Sequence, residues 1–138
     1  MKTCIGFSIT ETMMNSKKGE YMIFLEYPKC STCRKAKAWL DAHQINYTDR
    51  HIVEDNPSAA ELAAWHQVSG LPLKKFFNTS GILYKEMNLK DKLPNMSEAE
   101  QYDLMASNGM LVKRPLLIDS GKVLVGFKET EWEAALHV

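Results

Sequence analysis

The 138-residue chain fits one domain, and 45% apolar with 25% charged residues is ordinary for a globular protein able to bury a core. Seventeen basic residues balance 17 acidic ones, so no global field draws it onto nucleic acid or a membrane surface, and direct nucleic-acid binding is not expected. Its apolar runs fall well short of the ~20 residues that cross a bilayer, and three cysteines, an odd number, do not make a secreted disulfide scaffold. A reducing, cytoplasmic setting is expected, where a Cys-X-X-Cys pair cycles rather than staples.

Residues 1–21 have neither a clear period nor a signal-peptide core, and read as an appended leader before a single domain over 22–138. Lys18-Gly19-Glu20 fits either a ribosome-binding sequence read in frame, which would make Met22 the natural start and Cys4 an artefact, or an ordinary flexible tail.

Met22 to Tyr27 reads as a buried strand, Pro28-Lys29 as a turn, and Ser31 to about His43 as a helix. Cys30 then sits at the helix N-terminus, where unpaired N–H groups and the positive end of the helix dipole stabilise a thiolate. Cys33 lies inside the helix. Cys30 is therefore the expected attacking thiol and Cys33 its resolving partner, with Lys29, Arg34 and Lys35 adding positive potential. Ala36, Trp39, Leu40 and His43 share one face of this helix. A second strand is expected at Asp49 to Val53, which completes a βαβ unit with a right-handed crossover.

Asn56-Pro57-Ser58 opens a helix with a Ser58/Glu61 capping box and Leu62, Trp65 and Val68 on one side, ended by Gly70-Leu71-Pro72. A short turn at Leu73 to Phe77, a helical pattern from Ile82 to about Leu89, and a helix capped by Ser97 and Glu100 that ends at Asn108-Gly109 follow. Residues 56–108 thus form a helical insert. Leu116 to Asp119, the Ser120-Gly121 turn and Lys122 to Gly126 make an antiparallel hairpin, and Glu129 to Leu136 a final helix offering Trp132, Ala135 and Leu136 to the core. The expected architecture is α/β: a four-stranded mixed sheet (βαβ, then ββα) with helices on its faces.

Cys30 and Cys33 alternatively make half of a zinc site, but Cys4, His43, His51, His66 and His137 supply no second pair at ligand spacing. No metal or cofactor is expected, and the histidines are given no role. Trp39, Trp65 and Trp132 are read as core. The Lys74-Lys75 pair beside Phe76-Phe77 reads as a solvated face over a buried one, or as part of a partner surface.

Tyr27-Pro28-Lys29-Cys30-Ser31-Thr32-Cys33-Arg34-Lys35-Ala36, then Phe77-Asn78-Thr79-Ser80-Gly81, then Val112-Lys113-Arg114-Pro115-Leu116, resemble in order and spacing the arsenate-reductase-like family with its Spx/MgsR branch. The resemblance covers about Met22 to Val138 and implies a thioredoxin-like fold with a helical insertion. It implies that Pro115 follows a cis peptide bond and faces the nucleophilic cysteine, and that Arg114 binds an oxyanion near the sulfur. Pro115, Ser31 and Thr32 are the expected substrate-positioning residues. Members that reduce arsenate carry two further arginines, whose positions here hold Ser80 and Phe127, the latter beside Lys128; only Arg34, Arg50 and Arg114 occur in the chain. Lysine gives charge without the bidentate fork, so efficient arsenate reduction is not expected. The reading that follows is a monomeric thiol–disulfide oxidoreductase, reduced by a low-molecular-weight thiol or a thioredoxin-type protein. The Spx/MgsR branch implies an alternative, a redox-sensing regulator. Such a regulator would dock on the carboxy-terminal domain of RNA polymerase α through a small residue near Gly70 or, counting back from Phe76-Phe77, at Pro72.

Overall fold

The structure is a computed structural model that describes residues 22–138; the expected leader, with Cys4, lies outside the described residues. Strand β1 (Ile23–Glu26) is followed by α1 (Ser31–Ala42) and β2 (Thr48–His51). The insert comprises α2 (Ala59–Ser69), a 3-10 turn (Leu73–Phe76), α3 (Ile82–Glu86), α4 (Leu89–Lys92) and α5 (Glu98–Ser107), with short 3-10 turns after α4 and α5. The chain closes with β3 (Leu116–Asp119), β4 (Lys122–Val125) and α6 (Glu129–Leu136).

The strands order as β2-β1-β3-β4. β1 pairs parallel with β2, Ile23 opposite Thr48, and antiparallel with β3, Phe24 opposite Leu117; β3 and β4 form the hairpin. The βαβ and ββα units and the mixed sheet are as the sequence implied, and the fold is thioredoxin-like α/β.

Strand alternation divides the core into two layers. On one face Phe24 and Leu117 meet Ala36, Trp39 and Leu40 of α1 and Trp132 and Leu136 of α6. On the other, Leu25, Leu116, Ile118 and Val123 meet the insert, including Leu62, Trp65, Phe76 and Met105. The insert is therefore packed onto the sheet through half of the core, with α2 against both α5 and β4.

Local chemistry accounts for most boundaries. Both capping boxes form, Ser58 with Glu61 and Ser97 with Glu100, and Gly70 ends α2 in the left-handed conformation at φ 68°. Several expectations need correction. Val68 is 51% exposed, because α2 turns Leu62 and Trp65 inward and leaves Val68 on its outer edge. His43 is exposed and caps α1, its ring 4.1 Å from that of Trp39, rather than joining the core. The Ile82 to Leu89 pattern splits into two helices at Asn88, which adopts φ 55°. The second strand runs from Thr48 to His51, starting one residue earlier than expected, and Ile52 is buried in the turn beyond it. Gly109 does not cap α5: Asn108 is extended, and Gly109 is needed because a Cβ there would lie 1.9 Å from the Ile52 carbonyl oxygen. Ala135 is half-buried near the end of α6, whereas Trp132 and Leu136 are buried in the core.

Candidate active site

Cys30 is the N-cap of α1, with extended backbone (φ −90°, ψ 123°). Its N–H donates to the Tyr27 carbonyl at 2.9 Å, closing the Pro28-Lys29 turn. Its Sγ accepts the backbone N–H of Cys33 at 3.4 Å. A sulfur here takes the place usually held by a serine or aspartate oxygen at a helix start. The Cys33 side chain is fully buried, Cys30 is partly exposed, and the two are not bonded to each other.

These environments push the two thiols in opposite directions. Burial raises the Cys30 thiol, but the Cys33 backbone N–H, the Cys33 thiol and Arg114 outweigh it and hold Cys30 below the ordinary cysteine range. Burial pushes the Cys33 thiol up to about 12; the Tyr27 backbone opposes this, and the neighbouring Cys30 adds to it. Cys30 is thus the more acidic of the two thiols, and Cys33 keeps its proton at neutral pH.

Arg114 is delivered from the far end of the chain. Phe77 bridges to Val112, the Asn78 N–H donates to the Leu111 carbonyl at 2.8 Å, and the Lys113 N–H donates to the Phe76 carbonyl at 2.7 Å. The insert thus clamps the segment just before Arg114. Its guanidinium lies over the Tyr27 ring, 5.0 Å from the centroid, an arrangement favourable to a cation. Its Nη1 is buried without a hydrogen-bond partner among the described residues, so one donor of the fork is unused. The Arg114–Pro115 peptide is cis, and the Pro115 carbonyl accepts from the Gly126 N–H at 2.8 Å, tying the turn to the end of β4.

The other arginines are engaged elsewhere. Arg34 Nε donates to the Pro28 carbonyl at 3.0 Å, and Arg50 forks onto Glu61 at 2.8 and 2.9 Å. Arg114, rather than Lys29, Arg34 or Lys35, is therefore the cation that bears on Cys30.

A cleft of about 690 Å³ opens beside the motif, with Thr32 and Arg114 on its wall together with Phe77, Phe127 and Lys128. Ser31 is exposed on the first turn of α1 and Pro115 is buried; neither lines this cleft. Ser80 borders a second cavity of about 470 Å³, which Arg114 also borders. The two positions that lack arginine thus border different cavities, both of which reach Arg114. Among the described residues no three histidine, cysteine or acidic side chains gather as metal ligands.

Sequence reasoning gave no role to Glu26, yet it is 5% exposed at the end of β1, two residues along the strand from Phe24 and so on the α1 face of the sheet. Burial, then the hydrogen bond and charge of Asp49, raise its carboxyl from 4.5 to about 7, against the pull of Lys37. Lys37 bridges the pair, 3.5 Å from Glu26 and 2.8 Å from Asp49. An acid closing an apolar strand marks such a position only once its face is known. Among the described residues no helix is long and apolar enough to cross a membrane.

The ArsC family model matches residues 25–135. The uncharacterized protein YusI of Bacillus subtilis is 58% identical over 112 residues, 81% of this chain and 95% of that one. The regulatory protein MgsR of the same organism is 30% identical, over 81% of this chain and 87% of its own. A crystal structure of a putative ArsC family related protein from Bacteroides fragilis superposes with a TM-score of 0.81 at 59% identity, covering 84% of this chain and 98% of that one. With a matching model that spans nearly all the described residues and relatives that are covered over most of their own length, this chain belongs to the ArsC family.

Proposed function

We propose that the chain is a cytosolic thiol–disulfide oxidoreductase in which Cys30 attacks and Cys33 resolves. The Cys30 thiolate attacks one sulfur of a substrate disulfide; a Cys30–substrate bond forms and the other substrate half leaves as a thiolate. Cys33 then gives up its proton and attacks the Cys30 sulfur, which expels the second half and closes the Cys30–Cys33 bond. Two electrons pass from the pair to the substrate, which leaves as two thiols. An external low-molecular-weight thiol or a thioredoxin-type protein returns them by reopening the bridge. No cofactor enters.

The observation that carries this reading is the opposed state of two thiols one helical turn apart, one capping a helix under a cation and the other buried and held protonated. Arg114 steadies the thiolate or an anionic part of the substrate, Thr32 on the cleft wall helps align it, and the buried Pro115 acts only through the cis turn that positions Arg114. Arsenate is a poor candidate substrate, since Arg114 is the single guanidinium on the cleft and a tetrahedral oxyanion is best held by several forks. Cys33→Ala should leave mixed disulfides trapped on Cys30 in cells. Recovery of no trapped partner, with Cys30→Ala as the comparison, would contradict the proposal.

A second reading, redox-sensing regulation, is favoured by the 30% identity to a protein named regulatory. It requires the carboxy-terminal domain of RNA polymerase α to bind the chain in one redox state. Failure to bind in both states removes it.

A further inference from the structure

The chain as a whole carries no net charge, yet the cleft lined by Arg114 and by Thr32, two residues along the chain from Cys30, is one-sided. Five cationic side chains line it, Lys74, Lys75, Lys113, Arg114 and Lys128, against one carboxylate, Glu131. Glu131 lies 4.0 Å from Lys128, and Lys74, Lys75 and Lys113 have no ion-pair partner among the described residues. The cations come from separate elements: Lys74 and Lys75 from the 3-10 turn of the insert, Lys113 and Arg114 from the segment before β3, and Lys128 from the residue that opens α6. Positive charge therefore faces the cleft from more than one wall.

Apolar surface lies between and beside these charges. Phe127, half-buried, is on the wall, and Leu71, 37% exposed, lines the cleft as well. A cleft of about 690 Å³ is far larger than an inorganic oxyanion needs. Its size, with cations spread over more than one wall, suits an extended ligand rather than a small thiol.

Resting on the proposed exchange chemistry, we propose that the substrate of Cys30 is a cysteine disulfide within an acidic polypeptide segment, whose flanking carboxylates are held by Lys74, Lys75 and Lys128. The apolar side chains of the same segment rest on Leu71 and Phe127. The thiolate attacks the segment's disulfide as above, so the charged contacts orient the sulfur and take no part in the electron count.

The test uses synthetic peptides of equal length with a central cysteine disulfide-bonded to 2-mercaptoethanol, flanked by glutamates in one and glutamines in the other. Second-order rates with the reduced protein are compared at low and high salt, alongside 3,3′-dithiodipropionate and its uncharged analogue dithiodiethanol. The glutamate peptide should react about tenfold faster than the glutamine peptide at low salt, and this ratio should shrink as salt screens the lysines. The small dianion should gain less than about threefold over its neutral analogue, having less reach to the lysines. Lys74→Glu with Lys75→Glu should collapse the peptide ratio toward one or invert it, while Lys90→Glu, on α4 away from the cleft, should leave it as it was. Equal rates for the two peptides overturn the proposal, and an equal or larger advantage for the small dianion overturns it in favour of a small anionic thiol. If Cys30 exchanges with none of these disulfides, the oxidoreductase reading fails by itself. The cleft is then judged by calorimetric binding of the glutamate peptide with serine in place of cysteine: saturable binding lost in the Lys74/Lys75 variant supports it, and no binding overturns it.

Discussion

Replacing Arg114 with glutamine removes the one guanidinium that bears on Cys30 while keeping a polar side chain above Tyr27. An opposite charge close to a thiolate lowers its pKa by about one unit or more, so the variant's Cys30 should titrate about one unit higher. Well below both midpoints the thiolate fraction then falls about tenfold for that one unit. The more basic thiolate is also intrinsically faster, by about threefold for one unit at a Brønsted slope of roughly 0.4–0.5. The net expectation is a loss of about threefold in alkylation rate well below both midpoints and a gain of about threefold above them. The two pH–rate profiles should therefore cross. Iodoacetamide labelling read by mass spectrometry from about pH 5 to 10 follows Cys30 without interference from Cys33, which is buried and titrates only near 12. Arg114→Lys should restore most of the shift. A Cys30 midpoint that does not move in Arg114→Gln, or profiles that never cross, would refute the assignment of Arg114 as the activating cation.

Glu26, raised from 4.5 to about 7, keeps its proton in the fold where the unfolded chain has lost it, so its contribution is complete below 4.5 and disappears as pH rises through about 7. At about 1.4 kcal/mol per unit, wild type should lose up to roughly 3 kcal/mol relative to Glu26→Gln as pH rises from 4.5 past 7 in denaturant melts. The depressed Asp49 acts only at lower pH, and a pH-independent difference would argue against a protonated Glu26. Gly109→Ala should destabilise strongly, since its Cβ would meet the Ile52 backbone and not a movable side chain; wild-type thermal stability in this variant would contradict that packing. Trp132→Ala, at a fully buried site between α1 and the sheet, should cost about 3–5 kcal/mol in the same melts.

The parts of the fold that were legible in the sequence are those decided within a few residues. The Ser58/Glu61 and Ser97/Glu100 boxes, the Ser120-Gly121 hairpin and the span of α6 are local arrangements of side chain and backbone, and they form as read. Cys30 at a helix start belongs to the same class, because a strand, a Pro-containing turn and a helix pattern mark it. What depended on partners distant in sequence was not legible. Val68 has helical spacing from Leu62 and Trp65, but which face of α2 meets α5 and β4 is settled only on packing. The burial of Glu26 follows from its sharing the α1 face with Phe24, and the need for glycine at 109 from the approach of Ile52, a residue far back in the chain. The placing of Arg114 depends on Phe77 bridging to Val112; the resemblance to a family pointed to this arginine, and the residue pattern alone left it as a surface cation. Lys74 and Lys75 were visible as a pair, whereas their convergence with Lys128 on one cleft was not.

The division of labour between the two cysteines is tested most directly by measuring both thiols in the same unmodified, reduced protein. Alkylation across pH, resolved by mass spectrometry for each cysteine, should show Cys30 titrating below the ordinary cysteine range and Cys33 unreactive until pH approaches 12. A Cys33 that is the more acidic of the two, or a pair that titrates together, would contradict the account.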